Sequence, residues 1–337
     1  MGSEMCIRDS SYSRPQHQPH HQQQPPPPHT LYIFTTDVDT LTSAPSYNPS
    51  CLKWQTLLKI QGVPFVTRAS NNHAAPGGVL PFLIPSADST TTPTTTTLHS
   101  SSSGSDVKAI PASKLESWIE KNYPLAKPHQ QQRQGHHRNP LTATYPSLLN
   151  PIRHAYLHAL YLDQTAFSTL ATPLYITPSS RNMFVRYALG GPLRAAALEQ
   201  LVLGAPGMGG GGIGVRVDVE ALYMGAEEAV EALSVILGER EWFSETEDGD
   251  DAEQQEIAHD KQDNADNDWT DASKSDFSQK GRPGTLDAAV FAYTHVILEY
   301  FAQEEVGTPA RRLGEIVRGR ANLVAHRERM LGRCYAR

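Results

Sequence analysis

Cysteine is scarce: the 337-residue chain has three, Cys6, Cys51 and Cys334, far apart and without paired spacing. That pattern excludes a disulfide framework and points to a reducing compartment. Long apolar runs are also missing, with nothing approaching the ~18 uninterrupted apolar residues of a membrane-spanning helix. The N-terminus lacks the basic region plus apolar core of a secretory signal and has too little arginine for a mitochondrial presequence. A role at a membrane would therefore require attachment from outside. Fourteen histidines are present, but none has the Cys/His spacing of a zinc module. His17, His20, His21 and His29 stand in a Gln/Pro tail and His136 and His137 in a polar linker, while His154 and His158 share a helix face without a third ligand. Gly207-Met208-Gly209-Gly210-Gly211-Gly212 fits G-x-G-x-x-G by letter alone. It follows a helical stretch rather than a strand and is not followed by Lys-Ser/Thr, so it reads as a flexible loop and not as a nucleotide site.

What is present falls into ordered stretches separated by biased ones. Residues 1–30 are rich in His, Gln and Pro, and such a composition buries too little apolar surface to offset the entropy of ordering. Similar interruptions occur at 86–106 (Ser/Thr-rich), in a linker at 126–144, at 204–214 (Gly-rich) and at 244–283 (acidic). The net charge of −7 conceals an asymmetry. Residues 245–268 hold eleven Asp and Glu against one Lys, whereas 309–337 hold eight Arg against two Glu.

The first ordered unit is expected over 31–125. LYIF (31–34) is strand-like. Behind Pro45, Asn48, Pro49 and Ser50, the residues Cys51, Trp54 and Leu58 recur at helical spacing, with Gly62 as the C-terminal cap and VPFV (63–66) as a second strand. VLPFLI (79–84) reads as a strand at whose edge or bend Pro81 must sit, because proline cannot donate to a ladder. IPASKLESWIEKN (110–122) reads as an amphipathic helix, with Ser113 as N-cap and Glu116 completing a capping box. Cys51 near a helix start is where a thiolate would be stabilised, with Lys53 as a neighbouring cation. It has no CxxC partner and no nearby histidine in sequence, so a buried small residue is the expected role.

The order strand, helix, strand, loop, Pro-bearing strand, helix resembles the thioredoxin-like N-terminal domain of glutathione transferases. In that family a residue near the start of the first helix carries the chemistry, a cis-proline precedes the third strand, and an acid-serine pair opening the last helix holds the peptide ligand. Pro81 resembles that proline, and Ala112-Ser113 stands in the place of the pair, without the acid. A methyl group cannot pair with the charged amino-acid end of glutathione. The wording SCLKWQTLLKIQGVPF, the run from Asn71 to Leu83 (NNHAAPGGVLPFL) and PGTLDAAVFAYTHVIL (283–298) resemble, in that order, the metaxins and the fungal metaxin-like subunits of the mitochondrial sorting and assembly machinery. A departure is Gly284 where that family has Ser or Thr. With Asp287 as the acid at the third helical position, Gly284 becomes the N-cap, which costs only a few tenths of a kcal/mol relative to Ser.

The second unit, 145–335, is helical by pattern. Ile152, Tyr156 and Leu160 share one face, and Leu222, Ala229, Val230, Leu233, Ile236 and Leu237 share another in a helix ending at Gly238. The fold class expected is therefore an α/β thioredoxin-like domain plus an all-α domain, glutathione-transferase-like, with several unstructured insertions. An Arg-rich terminal helix leaves Arg311, Arg312, Arg318 and Arg320 either as a solvated face or as a surface for anionic lipid or an acidic partner.

The metaxin resemblance implies a non-enzymatic peripheral subunit on the cytosolic face of the mitochondrial outer membrane. Its partners would be the barrel-forming core subunit, a second metaxin-like subunit and β-barrel precursors, with no cofactor, metal or nucleic acid. The anchorless branch of the family fits the missing transmembrane segment. The alternative is a glutathione-dependent transferase or peroxidase using Cys51 or Tyr47. A third reading is an interaction module in another assembly, such as a translation-associated complex.

Overall fold

The computed structural model describes residues 27–86, 108–124, 140–179, 182–203, 217–244 and 281–336. Most of the tail and insertions named above, the glycine run 207–212 among them, lie outside these ranges.

Strand β1 (His29–Ile33) leads through a short helix α1 (Asp37–Thr42) to α2 (Pro49–Ile60), then β2 (Phe65–Ala69), β3 (Phe82–Ile84), β4 (Ile110–Pro111) and α3 (Ala112–Asn122). The four strands form one sheet in the order β2-β1-β3-β4. Strands β1 and β2 run parallel, joined by the α2 crossover that such pairing needs, while β3 pairs antiparallel with both β1 and β4. Leu31, Ile33, Cys51, Trp54, Leu58, Leu83 and Leu115 form the core between sheet and helices. The Leu80–Pro81 bond is cis and stands immediately before β3, where the resemblance placed it.

Gly62 takes φ +67°, and the N–H of Val63 returns to the Leu58 carbonyl at 3.0 Å, closing the last turn of α2. Such a left-handed position suits glycine.

Four local expectations need correction. The second strand begins at Phe65 rather than Val63, because Pro64 is still in the approach and only its carbonyl is used, by the His29 N–H. Ser113 is not the N-cap of α3: Pro111 holds that position in extended conformation, without a side-chain cap. Strand β4, invisible in the sequence pattern, ends at Pro111 and passes directly into the helix at Ala112, so Ser113 is already the second helical residue and lacks the extended conformation of a cap. His29 is no tail residue but the first residue of β1, 1 % exposed, with its ring edge-on to Trp118 and Tyr123. The Arg-rich stretch is two helices, broken at Gly319-Arg320.

The helical domain contains α4 (Pro140–Leu157), a π turn at His158–Leu162, α5 (Gln164–Ala166), a π segment at Phe167–Ile176, α6 (Met183–Leu203), α7 (Val219–Leu237), α8 (Thr285–Val296), a π turn at Ile297–Phe301, α9 (Thr308–Arg318) and α10 (Ala321–Cys334). Its core gathers Ile152, Tyr156, Leu160, Tyr223, Leu233, Phe291 and Leu323, and the sequence-predicted faces of α4 and α7 are the buried ones. A small apolar cavity lies within it, bounded among others by Leu149, Val290 and Leu323. Helix α2 packs on α8, which joins the two domains. Among the described residues no helix is long and apolar enough to cross a membrane.

Candidate functional site

In this architecture chemistry would be sought where α2 starts, beside the cis peptide bond and the first turn of α3. Asn48 caps α2, its Oδ1 accepting the Cys51 N–H at 3.1 Å, and Pro49 follows at the first helical position, where a missing N–H costs nothing. Cys51 is therefore the third residue of the helix, within its first turn. It is fully buried, and its Sγ accepts the Phe34 N–H at 3.5 Å. Burial pushes its thiol up to about 12, with the Phe34 N–H and Ser46 acting weakly in the opposite sense. Lys53, the neighbouring cation, lies 4.7 Å from the Trp54 ring centroid.

The polar groups around Cys51 are bonded within the chain. Ser46 Oγ donates to the Phe34 carbonyl at 2.5 Å and accepts the Asn48 N–H at 3.2 Å, while the Ser46 N–H donates to Gln55 Oε1 at 2.9 Å. Gln55 in turn donates to the Ala44 carbonyl at 2.8 Å. Tyr47 is buried, and its hydroxyl crosses the domain boundary to donate to the Leu174 carbonyl at 2.9 Å. Asn48 Nδ2 donates to the Tyr175 hydroxyl at 3.3 Å. Burial holds both the Tyr47 and Tyr175 phenols above their ordinary range, so both stay protonated. The rings of Phe34, Tyr47 and Tyr161 surround Tyr175 at centroid distances of 5.1, 5.3 and 6.1 Å. Sequence reading gave Asn48 only as a turn residue and missed Tyr175. The Asn-Pro pair before an apolar-periodic run was the available signal for the first; nothing local announces the second.

The ligand side is similarly occupied. The Leu80 N–H donates to Asn72 Oδ1 at 3.1 Å, so this backbone donor beside the cis bond is not offered to an extended peptide. Ala112 presents a methyl group, and Ser113 is exposed on the first turn of α3.

Asp287, placed at the third position of α8, does more than complete a helix start. It is fully buried: its Oδ2 accepts the Gly284 N–H at 2.8 Å, and its Oδ1 accepts both the Phe243 N–H at 2.9 Å and His326 Nε2 at 3.0 Å. Gly284 supplies no side-chain cap, as expected. His154 and His158 gain no third ligand: among the described residues no three metal-binding side chains converge, and His158 Nδ1 lies 3.3 Å from the Tyr223 hydroxyl.

The four arginines divide. Arg312 makes a two-pronged bond to Glu220 of α7 with both contacts at 2.7 Å, and Arg320 pairs with Glu231 of the same helix. Arg311 and Arg318 are exposed. Two of the four thus serve to hold α9 and its junction with α10 against α7.

The chain matches the model of the glutathione S-transferase N-terminal domain over residues 49–121 and that of the glutathione S-transferase C-terminal domain over residues 276–330. No curated protein matches it. Among solved structures, a glutathione S-transferase of Ceriporiopsis subvermispora in complex with glutathione is similar at 12% identity and a TM-score of 0.45, over 90% of this chain and 99% of that one. A glutathione transferase from Phanerochaete chrysosporium is similar at 12% identity and a TM-score of 0.43, over 89% and 98%. The two domain models and the observed topology make the fold glutathione-transferase-like: a thioredoxin-like sheet domain followed by a mostly helical domain.

Proposed function

We propose that this chain is a non-enzymatic peripheral subunit of the mitochondrial outer-membrane machinery that sorts and assembles β-barrel proteins. It would sit on the cytosolic face against the barrel-forming core subunit and a second metaxin-like subunit, and assist the binding and release of barrel precursors. The observation that carries the non-enzymatic part is the occupied state of the α2 start: Cys51 buried and protonated, Tyr47 and Asn48 tied to the helical domain, and Ala112 in place of a ligand acid. A thiol nucleophile needs thiolate character and access, and Cys51 has neither. The assignment to barrel assembly is supported by the three metaxin-like motifs, at 50–65, 71–83 and 283–298, which occur in family order.

Co-purification of the tagged chain from mitochondria with an outer-membrane barrel protein is expected, together with no retention on immobilised glutathione. Retention with specific elution by glutathione would overturn the non-enzymatic reading in favour of a transferase or peroxidase using Cys51 or Tyr47. Co-purification with a soluble assembly alone would overturn the barrel reading. The thiol itself offers a further check. In a Cys6→Ser/Cys334→Ser variant, a thiol reagent at about pH 8 is expected to leave Cys51 unlabelled until denaturant is added.

A further inference from the structure

We propose that the face of α10 carrying Arg329 and Arg333 is the docking site of the chain's own acidic stretch, residues 245–256. This contact holds whether or not the chain serves barrel assembly.

The arginines of the last two helices differ in what they meet. Arg312 and Arg320 pair with glutamates of α7, and Arg327 pairs with Glu299 and Glu328. Arg329 and Arg333 meet no carboxylate among the described residues. They stand one helical turn apart, and each holds its guanidinium carbon 5.8 Å from the Trp242 ring centroid. Arg329 uses Nη2 on the Glu241 carbonyl at 3.0 Å, and its Nε is buried without a partner. Arg333 is exposed. An indole ring attracts a cation without neutralising it, so both charges remain to be matched. Arg311 and Arg318 are exposed as well, but Glu315 lies four residues after the first and three before the second, on the same helix face.

The course of the chain supplies the carboxylates. Trp242 stands two residues before Ser244, the last described residue of its stretch, and Ser244 Oγ donates to the carbonyl of Arg282, where the chain is described again. The intervening residues thus leave and return at one place, beside Trp242. The departing limb, 245–256, holds seven Asp and Glu and no Lys or Arg. The returning limb holds Lys274, Lys280 and Arg282 against Asp271 and Asp276. Glu245, Glu247, Asp248 and Asp250 lie within about 20 Å of chain from Ser244. A single exposed ion pair contributes little, but carboxylates tethered this closely act at about millimolar effective concentration. An anionic headgroup or an acidic partner offers the same chemistry and has to compete with them.

The test uses the full chain. In Arg333→Lys, a carbodiimide joins the introduced amine only to a carboxylate in contact with it. An amide from position 333 to a carboxylate of 245–256 is expected, within one chain, in a yield that falls about fivefold or more at about 1 M NaCl, where charges are screened within about 3 Å. A labelled synthetic peptide of residues 244–256 supplies the second measurement, at about 50 mM NaCl. It is expected to bind a variant whose seven carboxylates at 245–256 are changed to amides about tenfold or more tightly than it binds the unaltered chain, where the site is already filled. Arg333→Gln in that variant is expected to abolish the gain. Cross-links from position 333 that avoid 245–256, links formed only between two chains, equal peptide binding by the two proteins, or a gain that survives Arg333→Gln would each overturn the proposal, the second by assigning the face to another copy. Failure here leaves co-purification with a barrel protein unaffected, so the two readings fail separately.

Discussion

The starts of α2 and α8 are two solutions to one problem, satisfying the free N–H groups of a buried helix end. At α2 the cap is a neutral side chain, Asn48, and a thiol, Cys51, sits at the third position. At α8 the cap residue has no side chain, and the acceptor is a charged one reaching back from the third position. The α2 start lies where a glutathione transferase would do chemistry, yet its groups are neutral and internally bonded. The α8 start has the outline of a routine helix end, yet it holds a fully buried carboxylate shared by three parts of the chain: the α8 start, Phe243 after α7, and His326 of α10. Burying a charge is tolerable only when its partners are complete. The buried carboxyl group of the α8 start therefore serves to hold helices together, away from the α2 start where a glutathione transferase would do chemistry.

The strongest way to break this comparison is Asp287→Ala. It removes both carboxyl oxygens and leaves three donors, the half-buried Gly284 N–H and the buried Phe243 N–H and His326 Nε2, without this partner. A loss of about 3–5 kcal/mol is expected, read as a fall in urea midpoint at unchanged slope. Next in size is a pH effect one turn beyond the middle of the same helix. His295 is buried against Phe291, and burial, aided by the Arg327 cation, lowers its pKa to about 4. The unfolded chain, with an ordinary histidine near 6.5, binds the proton that the folded chain refuses. Its contribution to stability is thus complete above about pH 6.5 and is lost as pH falls toward 4, by up to about 3 kcal/mol. A His295→Leu variant is expected to show a flatter stability profile over that window, measured by denaturant unfolding at several pH values.

Sequence reading succeeded where the deciding physics is local. The helical spacing of Cys51, Trp54 and Leu58, the left-handed Gly62, Pro81 before β3, and Asp287 behind Gly284 are all consequences of a few neighbouring residues, and each is found in place. It failed where a distant element decides. Ser113 has the chemistry of an N-cap, but pairing of Pro111 with Phe82 makes Pro111 the extended cap residue, so the helix starts at Ala112 and takes Ser113 into its first turn. His29 reads as the end of a polar tail until Phe65, Trp118 and Tyr123 surround it. Arg312 and Arg320 read as available until Glu220 and Glu231 of α7 face them. The same limit applies to the α2 start: the motif identifies the place, but only the long-range bonds from Tyr47 to Leu174 and from Asn48 to Tyr175 show how its groups are occupied.

The two caps can also be altered by smaller steps, which sharpen the contrast instead of destroying it. Asn48→Ala removes the acceptor for the Cys51 N–H and the bond to Tyr175, and is expected to cost about 1 kcal/mol, the ordinary worth of an N-cap. At α8 the reverse change is open. Gly284 has φ −119°, a conformation any residue adopts, and an added Cβ would meet Ser244 Cβ at 3.5 Å, an ordinary contact. Gly284→Ser would supply the missing half of the box while Asp287 keeps the other half, so a gain of a few tenths of a kcal/mol is expected, visible as a small rise in melting midpoint. A fall in stability would mean that the introduced hydroxyl competes with the backbone N–H of position 284 for Asp287 Oδ2. The two helix starts would then differ in how much the carboxylate tolerates beside it, and not merely in which side chain caps.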